Sequence, residues 1–134
     1  MIVYVDSSVL LKRYVDEPDS ELAEDILRAD AVLATARHTV VEVRRNLARL
    51  LSSVDAESAR DQFSSDLNAF LIVELDAVTC EAAAIIGEQT GVRSLDALHL
   101  AAAQRVGGPA TSFATFDIRQ AQAARLLGLV VQGA

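Results

Sequence analysis

Residues 2 to 11 read Ile-Val-Tyr-Val-Asp-Ser-Ser-Val-Leu-Leu. Four apolar, mostly β-branched or aromatic residues, then an acid, two hydroxyls and a new apolar run, describe a buried strand that turns at once into a helix. Short apolar runs go on alternating with longer amphipathic stretches along the chain, as βα units do. Strands are expected near 2–6, 31–34, 70–74, 110–113 and 129–131. Helices are expected near 7–15, 19–29, 37–52, 55–69, 78–90, 94–106 and 118–127. Glu17-Pro18-Asp19-Ser20 and Gly107-Gly108-Pro109 read as loop and stop signals, and Gly128 closes the last helix. With no repeat, linker or low-complexity tract, the pattern points to an α/β fold: a three-layer α/β/α sandwich around a mostly parallel central sheet of about five strands. In such sheets ligands gather beyond the carboxyl ends of the strands, where Asp6 stands.

Composition removes several alternatives. A chain of 134 residues is expected to make one domain, 1–134. Cys80 is the only cysteine, which rules out an internal disulfide or a cysteine-based zinc site and suggests a reducing compartment, the cytoplasm. No apolar run approaches the roughly 18 residues of a membrane span, and the opening strand has no basic leader before it. The net charge of −7 speaks against a broad phosphate-binding surface. Bound divalent cations would change that locally, however, and eleven of the twelve basic residues are arginines, the better fork for phosphate. Acidity also suits a basic protein partner.

Four acids mark a candidate site. Asp6 follows the first strand, and Asp117 lies between a late strand and the last long helix; each reads either as a helix N-cap or as a site acid. Glu42 falls off the apolar face formed by Val40, Val43, Leu47, Leu50 and Leu51, on an edge with Arg45, Asn46 and Arg49, so a solvated Glu paired to either arginine is the ordinary reading. Asp96 is the acid that an ordinary reading explains least. Its helix, Leu95-Asp96-Ala97-Leu98-His99-Leu100-Ala101-Ala102-Ala103, is apolar nearly all round and therefore covered on most sides. Ser94 could cap it, but a desolvated carboxylate there calls for a metal, an arginine or an open cleft. His99 reads as a hydrogen-bonded core histidine in preference to a ligand.

Carboxylates converging from separate elements hold Mg²⁺ or Mn²⁺, which activates a water and offsets charge growing on a phosphate under attack. The two histidines, His38 and His99, do not suggest metal-free, two-histidine ribonuclease chemistry. A receiver-type signalling domain would need a late lysine, whereas the only lysine is Lys12. A haloacid-dehalogenase-like phosphatase would need an acid two residues after Asp6, where Ser8 stands.

The opening Val-Tyr-Val-Asp-Ser-Ser-Val-Leu, the Val-Val-Glu-Val at 40–43, the Ser-Leu-Asp-Ala-Leu-His-Leu-Ala-Ala-Ala at 94–103 and the Ala-Thr-Phe-Asp at 114–117 together resemble the PIN domain. More narrowly they resemble the VapC-type ribonuclease toxins of toxin–antitoxin pairs, over the whole chain. The resemblance implies an endoribonuclease that uses Mg²⁺ or Mn²⁺ and cuts structured RNA, transfer or ribosomal, by a metal-activated water. Asp6, Glu42, Asp96 and Asp117 would be its acidic quartet. Asp6 and Asp96 would be direct ligands, Asp117 and Glu42 would bind metal or position water, and Ser7 and Thr115 would support the site. The resemblance also turns the Glu42 edge toward the acids, so that Arg45, Asn46 and Arg49 could meet RNA phosphates. It further implies a homodimer and a cognate antitoxin whose C-terminal tail blocks the acidic site. Leu10, Leu11, Tyr14, Val15, Leu22, Ile26 and Leu27 could form a groove for that tail, or serve as core. A PIN nuclease of RNA processing or quality control, or a non-catalytic RNA-binding module, is the alternative.

Overall fold

A computed structural model describes residues 1–29 and 31–134. The opening apolar run forms β1 (Ile2–Val5) and passes through Asp6 into α1 (Ser7–Tyr14) and α2 (Ser20–Arg28). Then come β2 (Val32–Ala36), α3 (Arg37–Leu50), α4 (Ser53–Asp66) and β3 (Leu71–Val73). The second half runs α5 (Ala77–Thr90), α6 (Ser94–Gly107), β4 (Thr111–Thr115), α7 (Ile118–Leu126) and β5 (Val130–Gly133).

The strands lie in the order β3-β2-β1-β4-β5, and all four pairings are parallel. Parallel strands need helical crossovers, which cover both faces of the sheet; this is why β1 is apolar without alternation. Successive side chains still point to opposite faces. Tyr4 and Phe113 pack with α5, α6 and α7, while Val3 and Val5 pack with α1, α2, α3 and α4. The first of these layers is lined by Ala97, Ala101, Ala102 and Ala103, all buried, and such small side chains bring α6 close to the strands.

Two expectations needed adjustment. β2 and β4 run past their expected ends because Thr35, Ala36, Ala114 and Thr115 remain in register with their neighbours. The helix expected over 55–69 ends at Asp66, and its tail tightens into a 3₁₀ turn at Leu67–Ala69. Of the residues offered as an apolar groove, Leu10, Ile26 and Leu27 are core, Leu11, Tyr14 and Val15 are partly buried against it, and Leu22 is exposed.

Strand order reverses between β1 and β4, since the chain leaves β1 toward β2 on one side and returns as β4 on the other. Such a switch point opens a crevice at the carboxyl ends of its two strands. Asp6 and Asp117 follow those two strands.

Candidate active site

Asp6 caps α1: its Oδ1 accepts from the backbone N–H groups of Ser8 at 3.0 Å and Val9 at 3.4 Å. Asp117 caps α7 in the same way, accepting from Gln120 N–H at 3.1 Å. Capping uses one oxygen of each carboxylate and leaves the other for different partners. For Asp6 this is the Thr115 hydroxyl, which donates to Oδ2 at 2.5 Å and accepts from the Asp117 N–H at 3.0 Å. Ser8 makes a second clasp across the switch point, donating to Asp6 Oδ1 at 2.6 Å and accepting from Phe116 N–H at 3.0 Å. Thr115 was anticipated from the sequence; Ser8 was not, because a serine after an N-cap looks like the ordinary start of a helix.

Asp6 is only 4% exposed and pairs with no basic side chain among the described residues. Burial drives its carboxyl pKa upward, and the nearby His99 imidazole with the Ser8, Thr115 and Val9 hydrogen bonds pulls back only in part. An ionised carboxylate held there calls for a cation.

Asp96 sits in the first turn of α6. Ser94 is the first helical residue and not the cap; Arg93 precedes the helix and makes no side-chain cap. Burial raises the Asp96 pKa, Arg93 opposes that, and Asp117 adds to it as a neighbouring like charge. The Arg93 guanidinium reaches both acids, with Nε 3.3 Å from Asp96 Oδ2 and Nη2 3.8 Å from Asp117 Oδ2. Gln120, fully buried on α7, donates from Nε2 to the Asp96 carbonyl at 3.2 Å, and its Oε1 has no partner. That residue ties α7 to α6 beneath the acids. It escaped the sequence reading because its position on α7 looks like a polar surface position.

Glu42 does not pair with Arg45 or Arg49, the ordinary expectation. Its Oε1 accepts from His99 Nε2 at 2.7 Å, with His38 Nε2 at 3.8 Å. Burial pushes its pKa up, but the hydrogen bond from His99 and the nearby imidazoles of His99 and His38, with the Ser7 hydroxyl, outweigh it and hold the group below the usual range. No local pattern signals that the histidines meet, yet their ring centroids lie 4.1 Å apart. The proton positions follow from the partners. A carboxylate only accepts, so His99 Nε2 donates to Glu42. The Tyr4 phenol, whose pKa burial pushes up, donates to His99 Nδ1 at 2.7 Å. His38 Nε2 donates to the Leu95 carbonyl at 3.2 Å, and burial with the neighbouring His99 lowers its pKa to about 4. On the Arg45 edge, Asn46 Nδ2 donates to the Glu42 carbonyl and Arg49 to Asn46 Oδ1, both at 2.9 Å; Arg45 is exposed.

Which residues could hold a metal? Among the described residues, one triad of acids and histidines has ligand atoms within 4.8 Å of each other: His38, Glu42 and His99. Its nitrogens that face Glu42 already carry the protons of existing hydrogen bonds, so only Glu42 offers a free oxygen. Asp6, Asp96 and Asp117 supply hard oxygen donors, two of them with pKa values raised by burial. Hard oxygen donors fit a divalent ion better than the imidazole pair does, and Asp6, alone of the three, pairs with no basic side chain among the described residues.

A profile of the PIN domain matches residues 3–126. The chain belongs to the PIN-domain family. It is 32% identical over 129 residues to ribonuclease VapC46 of Mycobacterium tuberculosis, covering 96% of this chain and 95% of that one. Ribonuclease VapC35 of the same species is 34% identical over 134 residues, covering 97% and 95%. Among solved structures, FitAcB from Neisseria gonorrhoeae superposes with a TM-score of 0.76 at 22% identity, over 98% of this chain and 96% of that one. The sarcin-ricin loop cleaving toxin VapC20 of Mycobacterium tuberculosis gives 0.73 at 18%, over 90% and 94%.

Proposed function

We infer that this chain is an endoribonuclease acting as the toxin of a toxin–antitoxin pair, and we propose that a divalent cation, Mg²⁺ or Mn²⁺, is held by Asp6, Asp96 and Asp117. The observation that supports this reading is the placement of the acids around the switch point. The Thr115 hydroxyl donates to the Asp6 carboxylate and accepts from the Asp117 backbone N–H, and Asp96 is close enough to Asp117 to be raised by its charge. The names of the curated relatives support the ribonuclease reaction. When bound, the cation supplies Lewis-acid charge and lowers the pKa of a coordinated water. The chain's own groups do the rest. Ser8 and Thr115 fix the Asp6 carboxylate, Gln120 holds the backbone at Asp96, and Glu42, kept ionised by His99, orients the attacking water and can take its proton. In this reading Ser7 supports Glu42, and Arg45, Asn46 and Arg49 contact RNA phosphates.

Residues 1–134 form a single PIN-like unit in this reading. The partner is an antitoxin whose C-terminal tail brings a basic side chain to the acids, and the toxin is a homodimer. No described helix is long and apolar enough to cross a membrane, and we place the protein in the cytoplasm. The test is incubation of total cellular RNA with wild type and Asp96→Asn, in Mg²⁺, Mn²⁺ or EDTA. Discrete metal-dependent fragments, absent with the variant, are expected. RNA binding without cleavage in every metal would remove the catalytic assignment in favour of a binding module.

A further inference from the structure

Arg93 stands astride two of the proposed ligands, yet it is poorly suited to be a permanent bridge. Its contacts are long, 3.3 Å to Asp96 and 3.8 Å to Asp117, and its side chain is 78% exposed. Pairs of that kind are weak and easily exchanged. It is a counter-ion in place, and a divalent cation on the same carboxylates would repel it.

Beside the acids lies a cleft of about 280 Å³, between the turn after α5 and the outer face of α7. Arg93 and Asp96 line one wall, and Arg119, Gln122 and Leu126 line the other. Gly91, in a left-handed conformation at φ 74°, ends α5 and sets the turn that carries Arg93. Arg119 is exposed and, among the described residues, closes on no carboxylate within 4.0 Å. The cleft therefore holds two guanidinium groups in a chain of net charge −7. Asp96 is shared with the acid cluster. While Asp96 is bare, it repels phosphate and holds Arg93; covered by a cation, it does neither.

We propose that this cleft is the subsite for an RNA phosphate next to the scissile one, and that Arg93 exchanges from Asp96 and Asp117 onto that phosphate when the metal binds. The proposal rests on the ribonuclease reading above for the identity of its ligand. Arg119 completes the subsite from the α7 wall, since planar, two-pronged donors match phosphate oxygens. A strand with one phosphate at the acids passes its neighbour along the wall that Asp96 provides to both. Metal and RNA binding are thereby coupled through one side chain.

The test uses the full chain as wild type, Arg93→Gln, Arg119→Gln and the remote control Arg28→Gln. Calorimetric titration with Mn²⁺, without RNA, is expected to show Arg93→Gln binding about threefold or more tightly, with the other variants unchanged. Fluorescence anisotropy of labelled transfer RNA is then read in Ca²⁺, an oxygen-seeking ion of the same charge, and in EDTA. In Ca²⁺, Arg93→Gln and Arg119→Gln should each weaken binding about tenfold and reduce the salt slope by about 1. In EDTA, Arg93→Gln should change little. An unchanged Mn²⁺ affinity, or the same loss of RNA binding with and without Ca²⁺, overturns the exchange. Wild type that shows the coupling but leaves RNA uncut in Mn²⁺ would refute the nuclease and keep the subsite.

Discussion

Asp96 and Tyr4 act on the same chemistry by different routes. Changing a group that only orients a metal ligand lowers metal affinity by roughly 10- to 100-fold, so replacing a direct ligand should do at least as much. Asp96→Asn keeps size and α6 intact, and is expected to lower Mn²⁺ affinity by about 100-fold or more and to abolish RNA fragments; wild-type Mn²⁺ affinity in the variant would remove Asp96 from the ligand set. Tyr4→Phe isolates one hydroxyl. The ring keeps its stack on Phe113, at 5.4 Å between centroids, but His99 Nδ1 loses its buried donor. A buried acceptor left without a partner costs about 1–3 kcal/mol, and urea unfolding should show that loss together with a lower turnover as Glu42 loosens. An unchanged unfolding midpoint would show that the phenol is not the donor. Asp6, Asp96 and Asp117 stood out because they follow or open elements at one end of the sheet, whereas Glu42 joined them only through the family resemblance. The histidine pair was not legible, since residues 38 and 99 meet only after β1 has brought α3 and α6 together, and no local pattern encodes that approach.

The elements that build the switch point were the easiest to read, because strands of a parallel sheet, buried on both faces, are plain apolar runs. The polar ends of those strands were harder. β5 continues through Gln132 and Gly133, neither of which carries an apolar signal, yet Gly133 pairs with Thr115, the residue whose hydroxyl holds Asp6. Gly133 has φ 101°, and a Cβ there would lie 2.5 Å from the Thr115 carbonyl oxygen. Both facts make Gly133→Ala costly. The left-handed backbone alone penalises a side chain by about 1–2 kcal/mol, and overlap with backbone must be relieved by moving β4 or β5, at about 1–3 kcal/mol more. The expected result is a lower unfolding midpoint accompanied by weaker Mn²⁺ binding, because displaced Thr115 no longer fixes Asp6. A loss of stability with metal affinity intact would uncouple the strand end from the site.

Across the whole molecule, the site costs stability that a cation can return. Burial raises the Asp6 pKa above its ordinary 3.8. A carboxyl raised in the folded state contributes stability that is fully present below the unfolded value and is lost as pH rises through the folded one. His38 works with the opposite sign: lowered from 6.5 to about 4, it contributes stability present above about 6.5 and lost as pH falls toward 4. In EDTA the acid limb of the stability curve should therefore follow His38, while Asp6 penalises the neutral side. Asp6→Asn removes that penalty, keeps the oxygen that caps α1, and should be more stable than wild type at pH 7 by about 0.5–2 kcal/mol. That advantage should shrink to nothing as pH approaches 4. Metal reverses the order, because a ligand bound only by the folded form stabilises it by about 2.7 kcal/mol at 100 times its Kd. Thermal unfolding at pH 7 with and without Mn²⁺ checks both signs: wild type should gain with Mn²⁺ and Asp6→Asn should not. Should Asp6→Asn prove less stable than wild type in EDTA at pH 7, the Asp6 carboxylate would be compensated by its hydrogen bonds alone, and the argument for a cation beside it would lose its physical basis.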